Sequence, residues 1–266
     1  MPVGYSVYRE VASPIHRLDP RVKLSWLLAL FALALCFNHP AVLGALNLGV
    51  LGVAVAARLR FRDFRPYLLM ALWLTALSVV IWPAYIAEGT LLGRVWFIEF
   101  TDTGLLFGLA MGLRIALMIL AASTWMMTTS PQTVTAGLLA VGLPYKAGLA
   151  MSSAIRFIPL MNAERVTILE AQRARGLDLA SGGPIKRSLR AAPVLVPLFS
   201  RAFLTAQHLS VAMDGRGFGA RPGRTSITTL HLTGLDRRLL IAAPVAVAAG
   251  LVCRVLGAGV LVENLL

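Results

Sequence analysis

Five apolar stretches, Leu24–Phe37, Ala41–Ala57, Tyr67–Ala84, Gly104–Met127 and Leu239–Val262, limit what this chain can fold into more than any other feature. A bilayer core offers backbone amides no water, so a segment this apolar must satisfy its hydrogen bonds internally, as a helix. The last three come close to or exceed the roughly 20 residues that an upright span needs. The first two are shorter and are separated by Asn38-His39-Pro40, a turn signal that ends a helix before its proline. They read as two spans with ragged ends, the alternative being one re-entrant pair. Hydrophobic residues make up 58% of the chain and charged ones 14%, against about 45–50% and about 25% in soluble domains. A water-facing surface needs more polar coverage than that, and disorder is excluded by the same figures. Two cysteines, Cys36 and Cys253, lie in apolar runs, which excludes a disulfide scaffold and gives no metal or redox motif. The expected fold class is all-α: a polytopic membrane protein with about five transmembrane helices and a cytoplasmic helical domain.

Charge sets the orientation. Lys plus Arg is 25 against 12 for Asp plus Glu, a net +13. On a soluble protein that excess would suggest nucleic acid; on a membrane protein it is the cytoplasmic surplus of Lys and Arg. Arg9, Arg17, Arg21 and Lys23 precede the first run, and Arg58, Arg60, Arg62 and Arg65 lie between the second and third. A further 14 fall between Ser130 and Arg238. Five crossings starting inside place all of these on one side. The opposite loop, Tyr85–Thr103, holds Glu88, Glu99 and Asp102 against Arg94 alone. The N-terminus is therefore expected in the cytoplasm and the C-terminus outside. No cleavable leader is expected, because the first apolar run begins only at Leu24 and lacks a small-residue cleavage site.

Three parts follow: residues 1–129 with about four spans, 130–238 on the cytoplasmic side, and 239–266 with the last span. The middle part is too charged to span and too apolar to be a solvated loop. Its helical patterns cover Pro131–Val141, Lys146–Arg175 and Ile185–Arg216, with kinks at Pro159 and at Pro193 and Pro197. Leu195, Phe199, Leu204, Leu209 and Met213 give the last an apolar face. One pattern occurs twice. Ala171-Gln172-Arg173-Ala174-Arg175-Gly176-Leu177 aligns with Ala212-Met213-Asp214-Gly215-Arg216-Gly217-Phe218: alanine, two variable residues, a small residue, Arg, Gly and a large apolar residue. Glycine after a last helical residue takes the left-handed cap conformation without a Cβ penalty. Arginine there meets the negative end of the helix dipole, worth a few tenths of a kcal/mol to about 1. The small residue admits a partner's backbone and the apolar one can plug a pocket. One copy would be an ordinary helix cap; two copies read as a paired docking device.

These residues resemble the transmembrane coupling subunit, or T component, of energy-coupling factor (ECF) transporters, ABC-type importers of cobalt and vitamins. Ser13-Pro14-Ile15-His16-Arg17-Leu18-Asp19-Pro20-Arg21-Val22-Lys23-Leu24 is similar to that family's approach to its first span. Ala154-Ile155-Arg156-Phe157-Ile158-Pro159 and Glu170-Ala171-Gln172-Arg173-Ala174-Arg175-Gly176 resemble its first coupling helix, and Ala212–Gly219 its second motif. The family's motifs read Ala-Arg-Gly. Ala174-Arg175-Gly176 matches outright, whereas Gly215-Arg216-Gly217 has Gly for Ala. The resemblance implies that each motif docks on one of two cytoplasmic ABC-type ATPase subunits. It also implies that Arg156, Pro159, Glu170 and Ala171 support the coupling helix, and that a separate small membrane subunit in the cell membrane binds the vitamin or metal ion. This chain would then be no enzyme and carry no cofactor. It has no Gly-Lys pair and so no phosphate loop.

Gly104, Gly108 and Gly112 fall at four-residue spacing, a face that allows close helix approach, either within this chain or with the substrate-binding partner. Arg114 in the same span points inward or snorkels. His16, His39, His208 and His231 have no metal-ligand spacing. Glu164 and Glu170 could pair with Arg156, Arg165 or Arg173. The nearest competing reading is a conventional ABC permease that contacts substrate directly, since Glu170-Ala171-Gln172-x-x-x-Gly176 approaches its coupling loop; the second motif argues against it. A membrane enzyme lacks its side-chain cluster here. A nucleic-acid platform lacks aromatics among the basic residues, so the partner surface is the lipid bilayer and no nucleic acid is expected.

Overall fold

The computed structural model describes residues 11, 13–85, 91–95, 98–177, 191–219 and 232–256. They form two compact units, residues 1–141 with 230–266 and residues 142–229.

The first unit is built from α1 (Pro20–Cys36), α2 (Pro40–Ala56), α3 (Phe61–Ile81), α4 (Asp102–Thr128), α5 (Pro131–Val141) and α8 (Gly234–Val255). Local chemistry starts these helices where the chain offers a cap. The Asp19 carboxylate accepts from the Arg21 amide at 2.9 Å with Pro20 in the first turn, the residue that pre-sets φ and has no amide to leave unpaired. His39 Nδ1 accepts from the Ala41 amide before Pro40, and Thr101 Oγ1 from the Gly104 amide. Thr233 and Asp236 close a reciprocal capping box at the head of α8.

Five hydrogen bonds fix the helix directions. Lys23 Nζ donates to the Thr128 carbonyl at 2.8 Å, joining the start of α1 to the end of α4. Asn47 Nδ2 donates to the Leu113 carbonyl at 2.9 Å, and Ser78 Oγ to the Gly108 carbonyl at 2.8 Å. The Asp19 amide donates to Asp236 and Trp26 Nε1 to the Leu239 carbonyl, so α8 runs parallel to α1. The starts of α1, α3 and α8 thus share one end of the bundle with the ends of α2 and α4. Leu43, Val50, Phe64, Leu117 and Leu120 fill its core.

The structure adds to the sequence reading in three places. Helices α1 and α2 are 17 residues each, about 25 Å, and are two separate antiparallel helices, as the first of the two sequence readings has them. Residues 85–103, read as a plain loop, contain an antiparallel hairpin, β1 (Leu91–Val95) with β2 (Ile98–Thr101), interrupted by a bulge between Leu91 and Gly93. It is a small exception in an otherwise helical membrane protein. Finally, α5 packs on the start of α1, where a Cβ on Gly137 would lie 3.1 Å from Pro20.

The second unit contains α6 (Tyr145–Ala174) and α7 (Ala192–Gly215). Both run through internal prolines, Pro159 and Pro197, without interruption. By length and composition α3, α4, α7 and α8 can cross a membrane. Helix α7 is the unexpected member. Lys186, Arg187, Arg190, Arg221 and Arg224 make the surrounding sequence look too charged to span, but all of them lie outside the helix. The proposed helix start at Ile185 and the C-terminal end of the last apolar run fall outside the described residues.

Candidate functional site: two matched helix ends

Both repeated motifs close their helices in the same way. At the end of α6, Gly176 has φ +87°, its amide donates to the Arg173 carbonyl at 3.0 Å, and the Leu177 amide donates to the Gln172 carbonyl at 3.0 Å. At the end of α7, Gly217 has φ +68°, its amide donates to the Asp214 carbonyl at 2.9 Å, and the Phe218 amide donates to the Met213 carbonyl at 2.9 Å. Each is a complete Schellman motif, with the left-handed residue donating to one carbonyl and the residue after it to the carbonyl one position earlier. In both, arginine is the last residue with near-helical backbone, at φ −88° for Arg175 and −92° for Arg216. A glycine and an arginine in these two slots fix the arginine's backbone direction relative to the helix axis. Ala174, Arg175 and Gly176 are exposed, as are Gly215, Arg216 and Gly217. A Cβ on Gly215 would meet nothing within 4 Å, so the missing methyl of the second motif is not forced by packing.

The relation between the two ends is the part that sequence spacing does not contain. Phe218, just past α7, stacks on Tyr145 at the head of α6 with ring centroids 6.1 Å apart and a 33° tilt. Midway, Arg201 Nε of α7 lies 4.0 Å from Glu164 Oε2 of α6. The helices are therefore antiparallel, and the motifs sit at opposite ends of the pair. Helix α6 has 30 residues, so the two arginines are separated by about 45 Å.

The supporting residues lie along the same rod. Arg156 and Pro159 are exposed in the first half of α6, and Glu170 and Ala171 in its last turns, where the Ala171 carbonyl accepts from the Arg175 amide at 3.3 Å. Glu164 pairs with Arg201 across the helices rather than with Arg156, Arg165 or Arg173, and Arg165 bonds Asn162 at 3.2 Å. Arg201 and Tyr145 were not among the residues singled out from sequence. Their partners are more than 35 positions away, beyond any helical spacing. On α7, Phe199 is 63% exposed and Phe203 69%.

The glycines of α4 serve a different purpose. A Cβ on Gly112 would lie 2.7 Å from Thr75 Cα, and one on Gly108 would lie 3.0 Å from the Ser78 carbonyl oxygen. They let α3 and α4 approach backbone to backbone. Gly104 is buried at the head of α4, its amide on the Thr101 hydroxyl. Arg114 points inward: its Nη2 donates to the Phe37 carbonyl at 3.0 Å and to Asn38 Oδ1, while Arg254 reaches the Leu35 carbonyl at 3.1 Å. Two guanidinium groups thus finish the C-terminal end of α1, where carbonyls lack intrahelical donors. Among the described residues no three His, Cys, Asp or Glu side chains cluster as metal ligands would.

Fold and helix ends together define a multi-pass helical membrane protein with a separate antiparallel helix pair that presents one exposed Arg-Gly device twice. The model of the cobalt transport protein family, CbiQ, matches residues 11–227. The energy-coupling factor transporter transmembrane protein EcfT of Bacillus subtilis (strain 168) is 32% identical over 238 residues, covering 86% of this chain and 89% of that protein. The EcfT protein of Acidaminococcus fermentans is 34% identical over 241 residues (84% and 88%), and that of Thermanaerovibrio acidaminovorans 35% over 236 residues (84% and 86%). The chain belongs to the cobalt transport protein family, as the transmembrane energy-coupling component of an ECF transporter.

Proposed function

We propose that Arg175 and Arg216 are the two points at which cytoplasmic ATPases grip this subunit. In this reading two ABC-type ATPases hydrolyse ATP, each holding one Arg-Gly helix end, and the α6–α7 pair carries their movement to a small membrane subunit that binds a vitamin or transition-metal ion. The chain itself is non-catalytic. The observation that carries the reading is the matched pair of exposed Schellman ends about 45 Å apart on one antiparallel rod. Two like ends, oppositely placed, suit two like partners. The cell membrane is the proposed location, with the helix pair and N-terminus on the cytoplasmic side and the C-terminus outside. That sidedness rests on the basic surplus of the sequence and agrees with the parallel course of α1 and α8.

The test is copurification of the assembled complex together with uptake in reconstituted vesicles. Truncating one partner of a buried interfacial charge pair costs about 2–5 kcal/mol. Arg175→Ala and Arg216→Ala should each weaken assembly or coupling, and the double change should abolish transport. Lysine should restore little, because it lacks the planar fork. A double mutant that still brings down both ATPases and still transports refutes the proposal.

A further inference from the structure

The turn between α2 and α3 contains a third Schellman motif, and its left-handed position is not filled by glycine. The Arg58 amide donates to the Val55 carbonyl at 2.9 Å and the Leu59 amide to the Ala54 carbonyl at 3.2 Å. Arg58 takes φ +55°, the only non-glycine residue with positive φ among those described. Glycine fills the equivalent places at Gly176 and Gly217 because a Cβ there crowds the following carbonyl. An arginine held in this conformation needs a reason, and the surrounding side chains supply one.

Arg58, Arg60, Arg62 and Arg65 are all exposed, and between them Phe61 is 71% exposed. Among the described residues none of the four guanidinium groups has an ion pair or hydrogen bond. The one acid in this stretch, Asp63, is half-buried. Arg58 and Arg60 lie in the turn between two antiparallel apolar helices, and Phe61, Arg62 and Arg65 in the first turns of α3, so in a membrane they fall at the level where hydrocarbon gives way to headgroups. Glycine at position 58 would close the turn equally well but would remove one charge of four. Strain is accepted here and the charge is kept.

We propose that Arg58, Arg60, Arg62 and Arg65 form a binding site for the phosphate headgroups of anionic phospholipids, with Phe61 inserted between the neighbouring acyl chains. Guanidinium groups grip phosphate oxygens through paired N–H donors, and an aromatic ring beside them anchors the segment in the interface. The assignment uses only the membrane placement of α2 and α3 and is independent of ATPase docking.

The experiment titrates the full-length chain in detergent with phosphatidylglycerol or phosphatidylcholine and counts retained lipids by native mass spectrometry. Each charge near an anionic surface is worth about fivefold in retention. Replacing all four arginines by glutamine should weaken phosphatidylglycerol retention by about 100-fold or more and leave phosphatidylcholine unchanged. Replacing all four by lysine should keep the preference, and inorganic phosphate should not compete. Arg58→Gly separates binding from folding: it relieves the left-handed residue, so thermal stability should hold or rise while phosphatidylglycerol retention falls about fivefold. Equal phosphatidylglycerol retention by the wild type and the glutamine variant overturns the proposal. So does a glutamine variant that keeps its lipid but loses an ATPase, which would make the patch a protein-docking surface.

Discussion

Replacing Gly176 or Gly217 by alanine tests whether the helix ends themselves aim the two arginines. At Gly176 no side chain crowds the site: a Cβ there would find nothing within 4 Å. There the whole cost lies in the backbone, with φ at +87°, and Gly217 shares the left-handed conformation at φ +68°. A non-glycine residue in the left-handed region costs about 1–2 kcal/mol. The motif avoids that cost by leaving its closing hydrogen bonds. At Gly176 these are the two that bring the Gly176 and Leu177 amides onto the Arg173 and Gln172 carbonyls, both 3.0 Å long. If they open, the Leu177 amide loses protection by the same 1–2 kcal/mol, about 5- to 30-fold faster hydrogen exchange. The reporter for α7 is the Phe218 amide, bonded to the Met213 carbonyl at 2.9 Å. Gly215→Ala is the matched control. That site is helical and open, so alanine should stabilise it by up to about 1 kcal/mol and slow exchange at Phe218. Hydrogen-exchange mass spectrometry on the purified subunit reads all three. Unchanged exchange at Leu177 and Phe218 in the first two variants, or faster exchange in Gly215→Ala, would refute the argument that glycine is there for its φ.

Two predictions concern the bundle. Gly112→Ala brings a methyl to 2.7 Å from Thr75 Cα, an overpacking of the kind that costs about 1–3 kcal/mol, whereas Gly52→Ala meets nothing within 4 Å; thermal unfolding in detergent should therefore rank Gly112→Ala well below Gly52→Ala, and the reverse order would show that α3 and α4 can separate freely. Arg114→Met leaves the Phe37 carbonyl and Asn38 without their buried donor and should cost about 1–3 kcal/mol, seen as a lowered melting temperature; no change would mean that these acceptors find water.

How much of this was legible in the sequence follows from the range of the interactions involved. Helix starts depend on neighbours two or three positions away, and the one at Pro131 is legible directly; hydropathy alone begins the first two runs at Leu24 and Ala41, whereas the caps Asp19 and His39 start α1 and α2 at Pro20 and Pro40. The helix ends at Arg175-Gly176 and Arg216-Gly217 could be read too, because only glycine enters the left-handed cap cheaply. The same rule missed Arg58, which takes that conformation without being glycine. Two short runs, Leu24–Phe37 and Ala41–Ala57, left the crossing pattern open, since hydropathy has no direction; the Lys23–Thr128 and Asp19–Asp236 hydrogen bonds supply it.

By itself the sequence determined the membrane class, the helical content and the existence of two like helix ends, all set by local composition and backbone geometry. Tertiary structure alone decided what those parts face. Gly108 and Gly112 have the spacing of a contact surface, but only the placement of Thr75 and Ser78 against them shows that α3 is the partner. Arg114 could have pointed outward until the end of α1 was packed beside it. The 41 positions between Arg175 and Arg216 are compatible with neighbouring or opposite ends. Stacking of Phe218 on Tyr145 and the pairing of Arg201 with Glu164 choose opposite ends, because antiparallel packing is a relation between helix faces that no periodicity within one helix encodes.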